Sequence, residues 1–323
     1  MISTLQVPTE IQSKIGLVEK RMLSQTDGYH PDLKAALEVL LSSGGKRIRP
    51  LIILLIGELL SGDESKLLNL ATAIELLHTA TLVHDDLIDG SLLRRGVPTL
   101  NSQWSPAATV LTGDFLFACA ATLAAQTDHL EVIKLFSKTL TVIVNGEINQ
   151  LFTSHCNTSK EDYFKRIYAK TASLFETSAR SAALLSPATK TQIDVLTKFG
   201  YSLGMAFQVI DDVLDYVGDE SKVGKPVGGD LRQGLITLPM LYYMEMHPDD
   251  PAVADLVIHK CVKDESEISR LVVTIKESRA IEKALTQARA FAEEARRCLD
   301  TFADSAAKEA LLGLTDYIVD RNL

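Results

Sequence analysis

The stretch "LLNLATAIELLHTATLVHDDLIDG", residues 67–90, combines a long apolar run with three carboxylates near its end. Its apolar residues recur at spacings of three and four, which is typical of the buried face of an α-helix. On such a helix Asp85 and Asp89 share a face and repel each other, and no basic residue lies beside them. The sequence therefore predicts a helix whose acidic end meets a positive ligand.

A second acidic motif stands in "FQVIDDVLDYVGD", residues 207–219, again at the end of an apolar helical run. One such triplet is compatible with a solvated helix end, but two with identical DDxxD spacing favour a metal site built from facing helices. All-oxygen ligands suit a hard cation such as Mg2+, which usually binds through a few carboxylates together with substrate phosphates. The candidate metal ligands are Asp85, Asp86, Asp89, Asp211, Asp212 and Asp215.

Two basic segments supply cations for such a phosphate. "GGKRIRP", residues 44–50, contains Lys46, Arg47 and Arg49, and "LLRRGVP", residues 92–98, places Arg94 and Arg95 just after the first acidic motif. For each segment alone, a solvated surface loop is the simpler interpretation. Because arginine binds phosphate oxygens in bidentate fashion, the combination with two acidic motifs favours a diphosphate site.

The rest of the chain predicts an all-α fold. Helical periodicity recurs along the 323 residues, strand signals are almost absent, and no linker or low-complexity segment interrupts the pattern. We therefore expect a large single-domain bundle over residues 1–323, with roughly a dozen helices. Residues 71–84 and 107–125 are apolar nearly all round, so both helices should lie in the interior.

Composition excludes several classes of function. A net charge of -9 argues against binding of nucleic acid, and the four cysteines lack the spacing of a zinc site. The most apolar run, residues 51–60, is far shorter than the roughly 18 residues that a membrane span requires. We expect a cytoplasmic enzyme that is not an integral membrane protein; a peripheral membrane contact for product release stays open.

These motifs, in order, resemble those of trans-type polyprenyl diphosphate synthases, the family that includes farnesyl and geranylgeranyl diphosphate synthases. The resemblance covers about residues 30–245 and also includes "GD" at 113–114, "YAKTASLF" at 168–175 and "GKPVGGDLRQGLITLP" at 224–239. It implies the isoprenoid synthase fold with a central active-site cavity. It also implies Mg2+-dependent condensation of isopentenyl diphosphate with an allylic prenyl diphosphate, in a homodimer.

The resemblance assigns a role to each matching residue. The aspartates would hold Mg2+ against the allylic diphosphate, with Asp215 acting from the outer shell. Residues that would grip the same diphosphate are Arg94, Lys170 and Lys225. Residues that would hold isopentenyl diphosphate are Lys46, Arg49, His78 and Arg95, with Arg47 as a helper. Thr171 and Gln208 would face the developing allylic cation, and Arg321 stays open as a further ligand.

Product length is predicted from the turn before Asp85. In this family those side chains form the floor of the tail pocket, and here they are the small residues Ala80 and Thr81. One helical turn is about 5.4 Å, roughly one isoprene unit, so the tail should pass further down the helix. We expect a hexaprenyl to decaprenyl product, with the deeper stop among Leu77, Ile74, Phe115 and Phe117.

Three alternatives remain at this stage. A class I terpene cyclase shares the helical bundle and one DDxxD motif, but it binds no second diphosphate substrate. A shorter-chain synthase keeps the chemistry and changes only the product. A non-catalytic partner subunit of a heteromeric synthase would be expected to have lost carboxylates or basic residues, and this chain has kept both.

Overall fold

The structure is a computed structural model, and it describes residues 7–42, 45–94, 96–152, 159–218, 227–254 and 265–320. These ranges are almost entirely helical, which confirms the all-α prediction. The helices are α1 (Thr9–Ser24), α2 (Pro31–Ser42), α3 (Ile48–Leu59), α4 (Glu64–Ile88), α5 (Leu100–Gln103), α6 (Pro106–Ala125), α7 (Leu130–Phe152), α8 (Lys160–Ile167), α9 (Ser173–Leu184), α10 (Lys190–Val217), α11 (Gly229–Arg232), α12 (Leu238–Met246), α13 (Glu265–Glu277), α14 (Arg279–Cys298) and α15 (Ala306–Asp320). A π-helical turn, Tyr168–Ala172, joins α8 to α9.

Side-chain caps fix where several helices begin. The Asp63 carboxylate accepts a hydrogen bond of 3.1 Å from the backbone N–H of Lys66 at the start of α4. The Ser159 hydroxyl accepts one of 3.3 Å from the backbone N–H of Asp162 at the start of α8. Such caps typically contribute ~1 kcal/mol.

Helix α4 lies in the core as predicted. Nearly every side chain between Leu67 and Val83 is buried, on all sides of the helix. The matching prediction for residues 107–125 is wrong for the chain by itself, because α6 leaves Val110 39% and Leu111 66% exposed. Apolar composition does not by itself fix burial, and the alanines that contribute much of the apolar character of α6 need little burial.

Contacts divide the chain into two compact units. The first comprises residues 1–138, 177–197 and 302–313, and the second comprises residues 139–176, 198–301 and 314–323. The first unit packs the apolar α3 and α4 together, with Leu51, Ile52 and Leu76 almost fully buried. The core of the second unit includes Tyr163, Tyr216 and Leu271. The single domain over residues 1–323 stays a prediction.

A short hairpin follows α4, and the sequence pattern did not predict it. Strands β1 (Leu93–Arg94) and β2 (Val97–Pro98) are antiparallel, with Arg94 opposite Val97. Two-residue strands are too short to show the period of two on which strand prediction depends. The hairpin positions the side chain of Arg94 against the C-terminal end of α4.

Helix α6 is also the one helix among the described residues that is long and apolar enough to cross a membrane. A single helix of this kind is weak evidence, because core helices of soluble proteins meet the same criterion. Its most apolar window is 39% buried within the protein.

Candidate active site

The first acidic motif ends α4 in the first unit. Asp85 and Asp86 lie in the last turn, and Asp89 caps the helix just before Gly90, whose φ of 61° turns the chain away. Asp86 is 5% exposed, whereas Asp89 is exposed to solvent. The buried carboxylate of Asp86 therefore requires a cationic partner.

Arg94 is that partner. Its Nε donates to both oxygens of Asp86, at 2.9 and 3.0 Å, and its Nη2 lies 2.9 Å from Oδ1. The hairpin folds Arg94 back over the helix end, so the structure brings together a predicted metal ligand and a predicted diphosphate ligand. Arg95, the other predicted base, lies outside the described residues.

His84 links this motif to α6. Its Nε2 is 3.2 Å from the carbonyl oxygen of Val110 and 3.6 Å from Oδ1 of Asp114. An added Cβ at Gly113 would lie 2.2 Å from the same nitrogen, so only glycine leaves room for the imidazole. The "GD" pair at 113–114 is therefore explained by the packing of His84.

The second acidic motif ends α10 in the second unit, where two side chains hold Asp212. The Tyr163 hydroxyl donates to Oδ2 at 2.7 Å, and Nε2 of Gln208 donates to Oδ1 at 2.8 Å. The Thr171 hydroxyl in turn donates to Oε1 of Gln208 at 2.5 Å. Two predicted residues, Thr171 and Gln208, thus form one hydrogen-bonded chain with a predicted metal ligand. Tyr163 was missed, because a lone tyrosine on a helix carries no local signal of this contact.

The π-helical turn positions Thr171 and Lys170. It passes so close to α10 that an added Cβ at Gly204 would lie 2.6 Å from Cα of Ala172. π-Helical turns occur frequently at functional sites. Nζ of Lys170 lies 3.1 Å from Oε1 of Glu147, and its side chain is 40% exposed. Lys170 therefore keeps a carboxylate neighbour while part of it faces solvent.

Asp215 shapes the loop that follows the second motif. Its Oδ1 accepts from the backbone N–H of Gly229 and its Oδ2 from that of Asp230, both at 3.1 Å. Asp215 therefore holds the start of α11 in place, and its role in the outer shell of a metal stays a prediction. Asp230 is the aspartate of the "GKPVGGD" motif, and the family resemblance assigned it no role. Lys225, predicted in the same loop, lies outside the described residues.

The carboxylates of the second unit are crowded and poorly hydrated. Burial raises the pKa of Asp212, with Asp211 adding repulsion. Burial raises the pKa of Asp230 as well, and Asp212 and Asp215 raise it further. Such groups gain from a divalent cation, whose oxygen-ligand preference they match. Within the described ranges no three His, Cys, Asp or Glu side chains form a ready-made metal cluster. Mg2+ does not require one, since substrate phosphates complete its coordination.

The basic residues around the start of α3 are of two kinds. Lys46 and Arg49 are half-buried, and so is His78 on α4. Arg47 is buried, and its guanidinium donates to Glu19 at 2.8 Å and to Glu75 at 3.2 Å. These hydrogen bonds do not test whether Arg47 also contacts substrate, which stays a prediction.

The predicted floor of the tail pocket lies along α4 and α6. Leu77 and Ala80 are fully buried, and Thr81 is half-buried. The ring of Phe115 packs edge-on against Tyr29, with centroids 5.0 Å apart, and Phe117 packs against His84 at 5.2 Å. Each aromatic candidate for the deeper stop is thus held by a neighbouring ring.

Known proteins resemble this chain over nearly its whole length. Residues 30–275 match the polyprenyl synthetase family. The chain is 36% identical to octaprenyl diphosphate synthase of Haemophilus influenzae, over 94% of this chain and 93% of that protein. It is 33% identical to heptaprenyl diphosphate synthase component 2 of Bacillus subtilis, over 96% of this chain and 89% of that protein.

A solved structure extends the likeness to the fold. The polyprenyl synthase of Caulobacter crescentus, crystallised with calcium and isoprenyl diphosphate, superposes with a TM-score of 0.89 at 34% identity. The match covers 97% of this chain and 96% of that one. With acidic motifs at two helix ends and the bases that accompany them, these matches place the chain in the polyprenyl synthetase family, as a prenyltransferase that makes a polyprenyl diphosphate.

Proposed function

We propose that this prenyltransferase condenses isopentenyl diphosphate with an allylic prenyl diphosphate to give an all-trans product of about six to ten isoprene units. The observation that carries the length is the small, buried Ala80, about one turn before Asp85. The long-chain names among the relatives support it. The shorter-chain alternative keeps the same reaction with a pocket closed nearer to the aspartates.

The proposed cofactor is Mg2+. The carboxylates at both helix ends would hold it, and when bound it supplies positive charge that stabilises the departing diphosphate. The calcium in the Caulobacter crescentus enzyme is a divalent cation of the same oxygen-binding class. In this chain Arg94 already holds Asp86, so a diphosphate arriving there would meet a cation fixed in place.

The remaining cations would divide between the two substrates. Arg94, Lys170 and Lys225 would bind the allylic diphosphate, and Lys46, Arg49, His78 and Arg95 would bind isopentenyl diphosphate. When the allylic C–O bond breaks, its electron pair leaves with the diphosphate. The double bond of isopentenyl diphosphate then supplies the pair for the new C–C bond, and loss of a proton restores a double bond. Gln208 and Thr171 present polar oxygens near Asp212, suited to the transient cation.

Chain length has its own test. Ala80→Phe should shorten the product by several isoprene units, because the ring would occupy the path down α4. Ala290→Phe, on an exposed position of α14, is the control and should leave product length unchanged. Products of equal length from the two variants would contradict the assignment of Ala80 to the tail pocket.

The assembly is proposed to be a cytoplasmic homodimer. The partner-subunit alternative has one observation in its favour, the name "component 2" of the Bacillus subtilis relative. The retained carboxylates and bases favour a chain that is active by itself.

The deciding experiment incubates the purified chain with labelled isopentenyl diphosphate and farnesyl diphosphate, with and without Mg2+. The dephosphorylated products are then sized. Mg2+-dependent products longer than geranylgeraniol support the proposal, whereas products that stop at or before it keep the enzyme class and contradict the length. Absence of product from any allylic starter, with a folded protein, favours the partner-subunit alternative.

A further inference from the structure

A buried charge network lies behind the basic segment "GGKRIRP". Arg47 has a left-handed backbone, with φ 45°, and is only 9% exposed. Each of its three guanidinium nitrogens donates within the protein: Nε to Glu19 at 2.8 Å, Nη1 to Glu75 at 3.2 Å, and Nη2 to the carbonyl oxygen of Leu41 at 3.3 Å. Three of the five N–H donors of Arg47 are used within the protein, and burial of the side chain limits the access of a ligand to the other two.

Glu75 is the unusual member of the network. It is 3% exposed, and it lies on α4 three positions before His78, which places the two on one helix face. Burial raises its pKa, whereas the charges of Arg47 and then Arg49 lower it. The carboxylate of Glu75 therefore lies within the field of both arginines.

This arrangement creates a conflict for an anionic substrate. A buried carboxylate whose charge interacts with that of Arg49 attracts the guanidinium and repels any diphosphate that Arg49 binds. Nη1 of Arg47 donates to Oε1 of Glu75 at 3.2 Å, so Arg47 compensates the charge of this buried carboxylate directly. Removal of one partner of a buried pair leaves an uncompensated charge, whereas removal of both is often tolerated.

We propose that Arg47 is a positioning residue, which neutralises Glu75 so that Lys46 and Arg49 direct their charge at the diphosphate of isopentenyl diphosphate. This inference rests on the substrate assigned under the proposed function. It gives Arg47 an indirect role, in place of the direct contact with substrate expected from the sequence.

The test compares Arg47→Met, Glu75→Gln and the double variant, with KM measured separately for isopentenyl diphosphate and for the allylic substrate. Arg47→Met should raise KM for isopentenyl diphosphate about tenfold or more, because Glu75 then draws on Arg49. KM for the allylic substrate should change by less than about twofold. The double variant should recover most of the loss, and Glu75→Gln alone should not raise KM.

The outcomes separate the alternatives. A double variant as weak as Arg47→Met would make Arg47 a direct ligand and overturn the proposal. An unchanged KM in Arg47→Met would overturn it too. Arg21→Met is the matched control, since Arg21 also joins α1 to α4, through a 2.5 Å hydrogen bond to Asn69, and should leave both KM values unchanged.

Folding of the variants is checked by circular dichroism and thermal unfolding. If Arg47→Met fails to fold, Arg47→Lys and the double variant carry the test: near-wild-type KM in both supports charge neutralisation, and a raised KM in the double variant overturns it. A wild-type enzyme that uses no isopentenyl diphosphate would instead contradict the proposed function itself.

Discussion

At the scale of single residues, Asp212 depends on two neutral donors, Tyr163 and Gln208. We predict that Tyr163→Phe lowers stability by about 1.5–3 kcal/mol, the usual contribution of a hydrogen bond to a charged group. The hydroxyl also holds the pKa of Asp212 down against burial, so its loss should weaken metal binding. The concentration of Mg2+ that gives half-maximal activity should rise.

Tyr243→Phe is the matched control for that variant. Tyr243 donates an equally short bond of 2.7 Å, to Asp250 rather than to a predicted metal ligand. It should lose comparable stability and keep the wild-type Mg2+ titration. Identical Mg2+ titrations of the two variants would contradict a role for Tyr163 at the metal site.

At the scale of elements, α4 and α6 approach each other closely where Gly113 faces His84. Gly113→Ala should destabilise the protein by about 1–3 kcal/mol, because the imidazole beside Asp85 must move to admit the methyl group. Activity should fall as well, since Asp85 follows His84 directly. Thermal unfolding and steady-state kinetics measure both effects.

Gly16→Ala is the control for Gly113→Ala, because it should raise stability where Gly113→Ala lowers it. Gly16 lies inside α1, and an added Cβ meets no atom within 4 Å. Alanine should therefore stabilise the helix by about 0.5–1 kcal/mol. A stabilising Gly113→Ala would contradict the steric argument for His84.

A second pair of elements predicts a pH dependence. Asp250 ties α12 to α13, because it accepts hydrogen bonds from Tyr243 on the first and Arg270 on the second. The hydrogen bond from Arg270 lowers the pKa of Asp250 to about 2. A lowered folded-state pKa means that this contribution is complete above about pH 4 and is lost as pH falls towards 2.

Asp250→Asn tests the direction of this pH dependence. Its thermal midpoint should lie below that of the wild type at pH 7, by roughly the 2–4 °C expected for ~1 kcal/mol in a chain of this size. The difference should narrow as pH falls from 4 to 2. A difference that stays constant over this interval would show that ionisation of Asp250 is not the cause.

At the scale of the whole molecule, the exposed apolar face of α6 predicts the surface on which two copies meet. Leu111 is 66% exposed there, and Val110 is 39% exposed. We expect a dimer at micromolar concentration and a monomer for Leu111→Asp, because a charge would have to be buried at the interface. Leu17→Asp, on an α1 position that is 46% exposed, should remain dimeric. Light scattering measures the mass, and a monomeric wild type would contradict the assignment.

The sequence alone determined the fold class and the class of enzyme. Apolar spacing is a local property, so it predicted the helices and the central position of α4. The two DDxxD motifs and the neighbouring bases are short patterns as well. The hydrogen-bonded chain from Thr171 through Gln208 to Asp212 joins three residues that the family resemblance had selected.

Only the tertiary structure decided which partner each charge has. Arg47 and Glu75 are 28 positions apart, and Tyr163 and Asp212 are 49 apart, so no periodicity connects them. The burial of one face of α6 likewise depends on what packs against it, since apolar composition does not by itself fix burial. Buried charges must be compensated by whatever side chains the fold brings near, and that pairing is a property of packing rather than of the local sequence.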